Sequence, residues 1–260
     1  MSRNLVSFVA ITAALACLLG VAGLGWTLYD YVNQATPMKV EKIESDQVKA
    51  NEKEKEKHIV ALGDSLTRGT GDAKGKGYVG NLIANLEKKS DEKMLLTNLG
   101  IKGQTSVQLA SQIKQKEVQR QVEIADVILI TIGGNDLFRG GQGLMDMSPE
   151  SLLPVEKQYE ANLKSILNDI RSVNKEANIF LIGLYNPFIE WENGVLSSKV
   201  VRDWNYKSAD ISAEYPKTVF VPTFDLFQVN VNDYLYTDQF HPNTEGYQLI
   251  AERVASLITF

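Results

Sequence analysis

Cysteine is almost absent. Cys17 is the only one, and it lies inside an apolar run, so the remainder of the chain has no disulfide and no cysteine-based metal site. Histidine is nearly as scarce: His58 and His241 are the only two. Any chemistry that needs an imidazole base must use one of them. There is no surplus of positive charge. Residues 58–260 hold 20 Lys plus Arg against 25 Asp plus Glu, a net charge of −5. A mildly acidic domain without a basic stripe argues against nucleic acid as a partner. No G-x-S-x-G occurs, which excludes the nucleophile elbow of α/β-hydrolases. No Gly-rich phosphate cradle occurs either, which argues against a carrier of phosphorylated ligands. No internal repeat is evident.

Charge is also missing from residues 5–29, LVSFVAITAALACLLGVAGLGWTLY. These 25 residues are long enough to span a bilayer as one helix and exceed the apolar core of a secretory signal. The reading is an uncleaved N-terminal transmembrane anchor over residues 1–30. Arg3 before it favours a cytoplasmic N-terminus and an extracytoplasmic remainder. A cleaved signal, giving a secreted protein, is the alternative, since Ala14-Leu15-Ala16 has the small-x-small form. Residues 31–57 follow as a charged linker. Its segment 39–57 balances six Lys against six acids and has almost nothing to bury. Residues 58–260 are long enough for one well-packed domain.

Within that domain, short apolar runs alternate with amphipathic stretches. Strands are expected at 59–63, 94–100, 127–134, 179–185 and 218–224. Their apolar residues do not alternate cleanly, as in strands covered on both faces. Helices are expected from Tyr78, from Thr105 through about residue 121, over 160–173, over 198–215, and from Thr244 to the end. The order implies a three-layer α/β/α fold on a five-stranded parallel sheet with right-handed crossovers. Ligand sites in such sheets lie beyond the carboxyl ends of the strands.

Four stretches fall there. They are Gly63-Asp64-Ser65 after the first strand, NLGIKGQTS (98–106) after the second, GGND (133–136) after the third, and DQFHPN (238–243) before the last helix. Gly-Asp-Ser alone fits Ser65 as a helix N-cap or as a nucleophile. A nucleophile needs a base. His58 sits at the other end of the first strand, which leaves His241, with Asp238 three residues earlier to orient the ring. Oxyanion donors would be the Ser65 N–H, the Gly103 N–H and the Asn135 side-chain amide. Asp64 and Asp136 are read as structural turn residues.

These blocks, in this order, resemble the SGNH hydrolases, the GDSL-type esterases and lipases, over residues 58 to about 258. The resemblance implies a flavodoxin-like fold, Ser65 as nucleophile with Asp238 and His241, Gly103 and Asn135 in the oxyanion hole, and no cofactor or metal. The function expected is a membrane-tethered extracytoplasmic serine esterase acting on a lysophospholipid or short acyl ester. The alternatives are an O-acetyl esterase on cell-wall or exopolysaccharide sugars and a non-catalytic binding module on the same fold. Two longer segments, 139–156 and 186–199, are expected to be loops that shape the substrate pocket. Phe138, Phe188 and Trp191 are candidate substrate contacts.

Overall fold

The computed structural model of the chain describes residues 55–139, 143 and 146–259. The apolar segment 5–29 and the linker up to residue 54 lie outside the described residues. Among the described residues no helix is long and apolar enough to cross a membrane.

Five strands form one parallel sheet: β1 (Glu56–Gly63), β2 (Lys93–Asn98), β3 (Val127–Thr131), β4 (Asn178–Ile182) and β5 (Thr218–Val221), in the order β2-β1-β3-β4-β5. β1 starts at Glu56, inside the stretch read as linker, because Glu56 and Lys57 pair with Lys93 and Met94 of β2. The chain passes from β1 to β2 on one side, then returns to β3 on the other. That reversal opens a crevice at the carboxyl ends of β1 and β3.

Eight α-helices are described: α1 (Ser65–Arg68), α2 (Gly77–Leu86), α3 (Ser106–Ile113), α4 (Lys116–Glu123), α5 (Gly134–Phe138), α6 (Pro149–Val173), α7 (Gly194–Ala213) and α8 (Thr244–Leu257). Successive strand residues point to opposite faces. Ile59 and Ala61 of β1, with Val127 and Leu129 of β3, pack on α2 and α8. Val60 and Leu62, with Ile128 and Ile130, pack on the opposite layer of α3, α4, α6 and α7. Both faces are dry, which is why the sequence pattern shows runs and no alternation.

Two expected elements differ from the structure. The single helix expected from Thr105 is two, α3 and α4, broken where Gln115 adopts extended angles. The buried positions explain the break. Leu109 and Ile113 are four apart, and so are Val118 and Val122, but Ile113 to Val118 is a step of five. An unbroken helix would place Val118 about 140° round from Ile113, against about 40° for a four-residue step, and so turn the second pair away from the first pair's stripe. The segment 139–156 is not a loop throughout. From Pro149 it is the start of α6, capped by the Ser148 side chain, which accepts from Ser151 N–H, with Pro149 at the first helical position. Likewise α7 starts at Gly194, inside the expected 186–199 loop.

Candidate active site

β1 ends at Gly63, whose φ is +129° and whose missing Cβ would lie 2.0 Å from the Thr131 carbonyl oxygen of β3. Only glycine allows that approach. Asp64 then takes the N-cap position that Ser65 might have filled. Its carboxylate accepts from Leu66 N–H (3.0 Å) and from the Thr131 hydroxyl (2.9 Å). Thr67 donates to the Leu62 carbonyl (3.0 Å) and lies 3.1 Å from the Tyr78 hydroxyl and 2.8 Å from the Thr131 hydroxyl. The turn is therefore tied to two strands and to α2. Burial pushes the Asp64 carboxyl up to about 6, against the pull of its hydrogen bonds from Leu66 and Thr131.

With its cap position taken by Asp64, Ser65 is free to face the loop before α8. Its Oγ lies 2.8 Å from His241 Nε2. The far nitrogen, Nδ1, lies 2.7 Å from Asp238 Oδ2. Asp238 Oδ1 also accepts from the backbone N–H groups of Phe240 and His241, both at 3.0 Å. Partial burial would raise the Asp238 carboxyl, but the bonds from His241 and Phe240 outweigh it and hold the group below its ordinary value. An ionised Asp238 takes the Nδ1 proton and leaves the Nε2 lone pair for the serine hydroxyl. The loop is held from beneath as well. The Tyr185 hydroxyl donates to the Phe240 carbonyl (2.5 Å), and Gly71 approaches so closely that a Cβ there would meet the Pro242 carbonyl oxygen at 2.6 Å.

Asn135, at the start of α5, lines the same cleft as Ser65, and its amide donates to the Gln104 carbonyl (2.9 Å). Gly103 precedes Gln104 on the loop after β2. It has φ +74° and nothing within 4 Å of where a Cβ would stand. It is exposed and is not among the residues lining the cleft. The loop is tied down by Gln112, whose amide donates to the Leu99 carbonyl (2.9 Å) and whose oxygen accepts from Gln104 Nε2 (2.8 Å). Asp136 faces away and accepts from Ser106 N–H (2.9 Å) and Ser106 Oγ (2.5 Å), joining α5 to α3. Burial raises its carboxyl despite those bonds.

The cleft has about 340 Å³ of open space counted to its mouth. Phe138 lines it. Phe188 and Trp191 do not. Phe188 stands behind, with ring centroids 5.2 Å from Phe138 and 5.9 Å from Phe240, and Trp191 packs on the outer side of Phe188 at 4.9 Å. The sequence reading missed Leu184, Tyr185, Pro187 and Phe240 as lining residues. Leu184 and Tyr185 fall inside the strand expected at 179–185, whereas β4 ends at Ile182. The signal that could have found them is the Asn186-Pro187 turn dipeptide directly after the apolar run.

The sequence profile of the GDSL-like lipase/acylhydrolase family matches residues 61–249. The chain belongs to this family. It is a carboxylic ester hydrolase of the GDSL type. It is 36% identical over 222 residues to the uncharacterized protein YpmR of Bacillus subtilis, covering 81% of this chain and 85% of that one. It is 28% identical over 200 residues to the spore germination lipase LipC of Bacillus licheniformis, covering 75% and 92%. Among solved structures it is similar to the lipase Lip_vut3 from a goat rumen metagenome (25% identity, TM-score 0.70, 78% of this chain and 96% of that one). The acetylxylan esterase Axe2 of Geobacillus stearothermophilus shares the fold (23% identity, TM-score 0.60, 79% and 94%).

Proposed function

We propose that this GDSL-type hydrolase is a membrane-tethered, extracytoplasmic serine esterase that works through an acyl-enzyme. The observation that carries the mechanism is the Ser65–His241–Asp238 relay, at 2.8 and 2.7 Å. Ser65 Oγ attacks the ester carbonyl as its proton passes to His241 Nε2. Asp238 stabilises the imidazolium. The developing oxyanion takes hydrogen bonds from Ser65 N–H, the first amide of α1, from Gly103 N–H and from the Asn135 amide. Collapse breaks the bond to the leaving alcohol, which takes the proton from His241. Water then attacks the acyl-enzyme, gives a proton to His241, and releases the acid while Ser65 regains its hydrogen.

The tether reading rests on the charge-free segment 5–29 and on Arg3. The substrate is a lysophospholipid or another short acyl ester. O-acetyl groups on cell-wall or exopolysaccharide sugars are a second reading, favoured by the small size of the cleft beside Ser65, which Phe138 and Phe240 line.

Covalent labelling of the chain by a fluorophosphonate, read by intact mass beside Ser65→Ala, tests the mechanism. A single adduct on the wild type and none on the variant is expected. A folded wild type that stays unlabelled would return Ser65 to a structural role and bring the non-catalytic module forward.

A further inference from the structure

Five of the thirteen large apolar side chains exposed among the described residues lie on or beside α6 and α7. Trp191 lies just before α7 and Val195 and Leu196 in its first turn, with Val195 88% and Trp191 52% exposed. Leu153 of α6, Leu196 and Tyr206 of α7 line an open groove between the two helices, and Tyr206 is 73% exposed. A cluster of this kind on a domain surface marks an interaction site more often than chance. It is continuous with the candidate active site. Trp191 packs on Phe188, Phe188 on Phe240, and Phe240 stands edge-on to His241 at 5.0 Å.

We propose that this face docks onto a lipid bilayer, and that the ester this enzyme hydrolyses is resident in that bilayer. The second half rests on the serine-esterase reading above. Trp and Tyr at the rim of an apolar patch are the side chains that prefer the membrane–water boundary. The charges do not call for an anionic surface. Exposed Glu190 and Glu192 flank Trp191, and Lys207 in the groove pairs with Glu156 and Glu160. Docking is therefore apolar and proceeds on neutral lipid. The chain outside the described residues has the length this requires. β1 enters at the end of the sheet opposite the site and is eight residues long, about 26 Å. The stretch from residue 30 to 54 can reach roughly 80 Å when extended and about 28 Å as a coil. A domain held by segment 5–29 can thus turn its strand-end face to the membrane.

The test uses the full chain with Trp26→Phe, which leaves Trp191 and the buried Trp204 as the tryptophans. Vesicles of phosphatidylcholine, brominated on the upper acyl carbons or unbrominated, report contact by quenching. Quenching of Trp191 emission is expected. In V195S/L196S it should be lost, hydrolysis of a monoacylglycerol in the same vesicles should fall on the order of tenfold, and hydrolysis of water-soluble p-nitrophenyl acetate should stay within about twofold. No quenching before the double substitution, or quenching that survives it, overturns the docking face. A dimer in sedimentation that V195S/L196S dissociates, without quenching, makes the face a contact between copies and also overturns it. Quenching without turnover of either ester leaves docking standing and removes the bilayer ester as substrate.

Discussion

The two loops proposed to carry the reaction are built in different ways. The turn after β1, Gly63 to Gly69, is buried except at its end, and its polar groups bond to β1, β3 and α2. The loop after β2, Leu99 to Thr105, exposes Ile101, Lys102 and Gly103 at its tip and buries Gln104. It is held by backbone bonds from Leu99 N–H to the Ala61 carbonyl and from Ile101 N–H to the Gly63 carbonyl (both 2.8 Å), and by the side-chain amides of Asn98, Asn135 and Gln112. The difference matches the tasks proposed for them. A nucleophile must not move relative to its base, so the interior determines its position. An oxyanion donor must meet an arriving substrate from the solvent side, so it sits on a surface loop and is positioned by side-chain amides.

The largest effect expected lies on the buried side. His241→Ala should lower kcat by about 10⁴-fold or more, because Ser65 loses its proton acceptor. Steady-state rates on a soluble ester check this, and a variant that keeps a tenth of the activity would place the base elsewhere. Next are the two glycines, which compare the loops directly. Gly63→Ala drives a Cβ into the β3 backbone and should cost about 4 kcal/mol or more, enough to abolish folding. Gly103→Ala meets no atom and should cost only about 1–2 kcal/mol of backbone strain. Urea unfolding of both variants measures the contrast, and equal losses would erase it.

Asn135→Ala should reduce kcat by about 10²–10³-fold with little change in KM, since the amide acts on charge that develops only in the transition state. A rise in KM alone would reassign Asn135 to ground-state binding. The last effect is a pH dependence of stability. Asp64 binds its proton more tightly when folded than when unfolded, so its contribution is full below about pH 4 and is lost as pH rises through about 6. The size is on the order of 3 kcal/mol. Unfolding free energies of wild type and Asp64→Asn, compared at the two ends of that window, should converge at low pH and separate at high pH. Parallel curves would mean that Asp64 does not titrate there.

Much of this was legible from residue order. The five apolar runs contain the five strands; β1, β3 and β4 are covered on both faces and so read as uninterrupted apolar segments, while Leu96 of β2 and Val219 of β5 are part-exposed at the sheet edges. Gly63, Ser65, Asn135, Asp238 and His241 stand out because each lies at a strand end or helix start, where the fold builds sites. Other features were hidden. The five-residue step from Ile113 to Val118 does not declare a helix break until the core shows which side must be buried. The glycines of 139–156 suggest a loop, although Ser148-Pro149 is a helix start and the structure accepts Pro154 inside α6.

What the sequence alone determined is the layer architecture and the set of chemical groups at the sheet's carboxyl edge, since local periodicity and residue type carry that information. Tertiary structure alone decided which groups meet. Ser65 and His241 are 176 positions apart, and their 2.8 Å contact exists only because β1 and α8 are packed against one another through the same sheet. It also decided that Phe138 lines the cleft while Phe188 backs it and Trp191 reaches the surface. Three aromatic residues look alike in a sequence. Their roles follow from depth in the packed wall, and depth is a property of the fold and not of the chain.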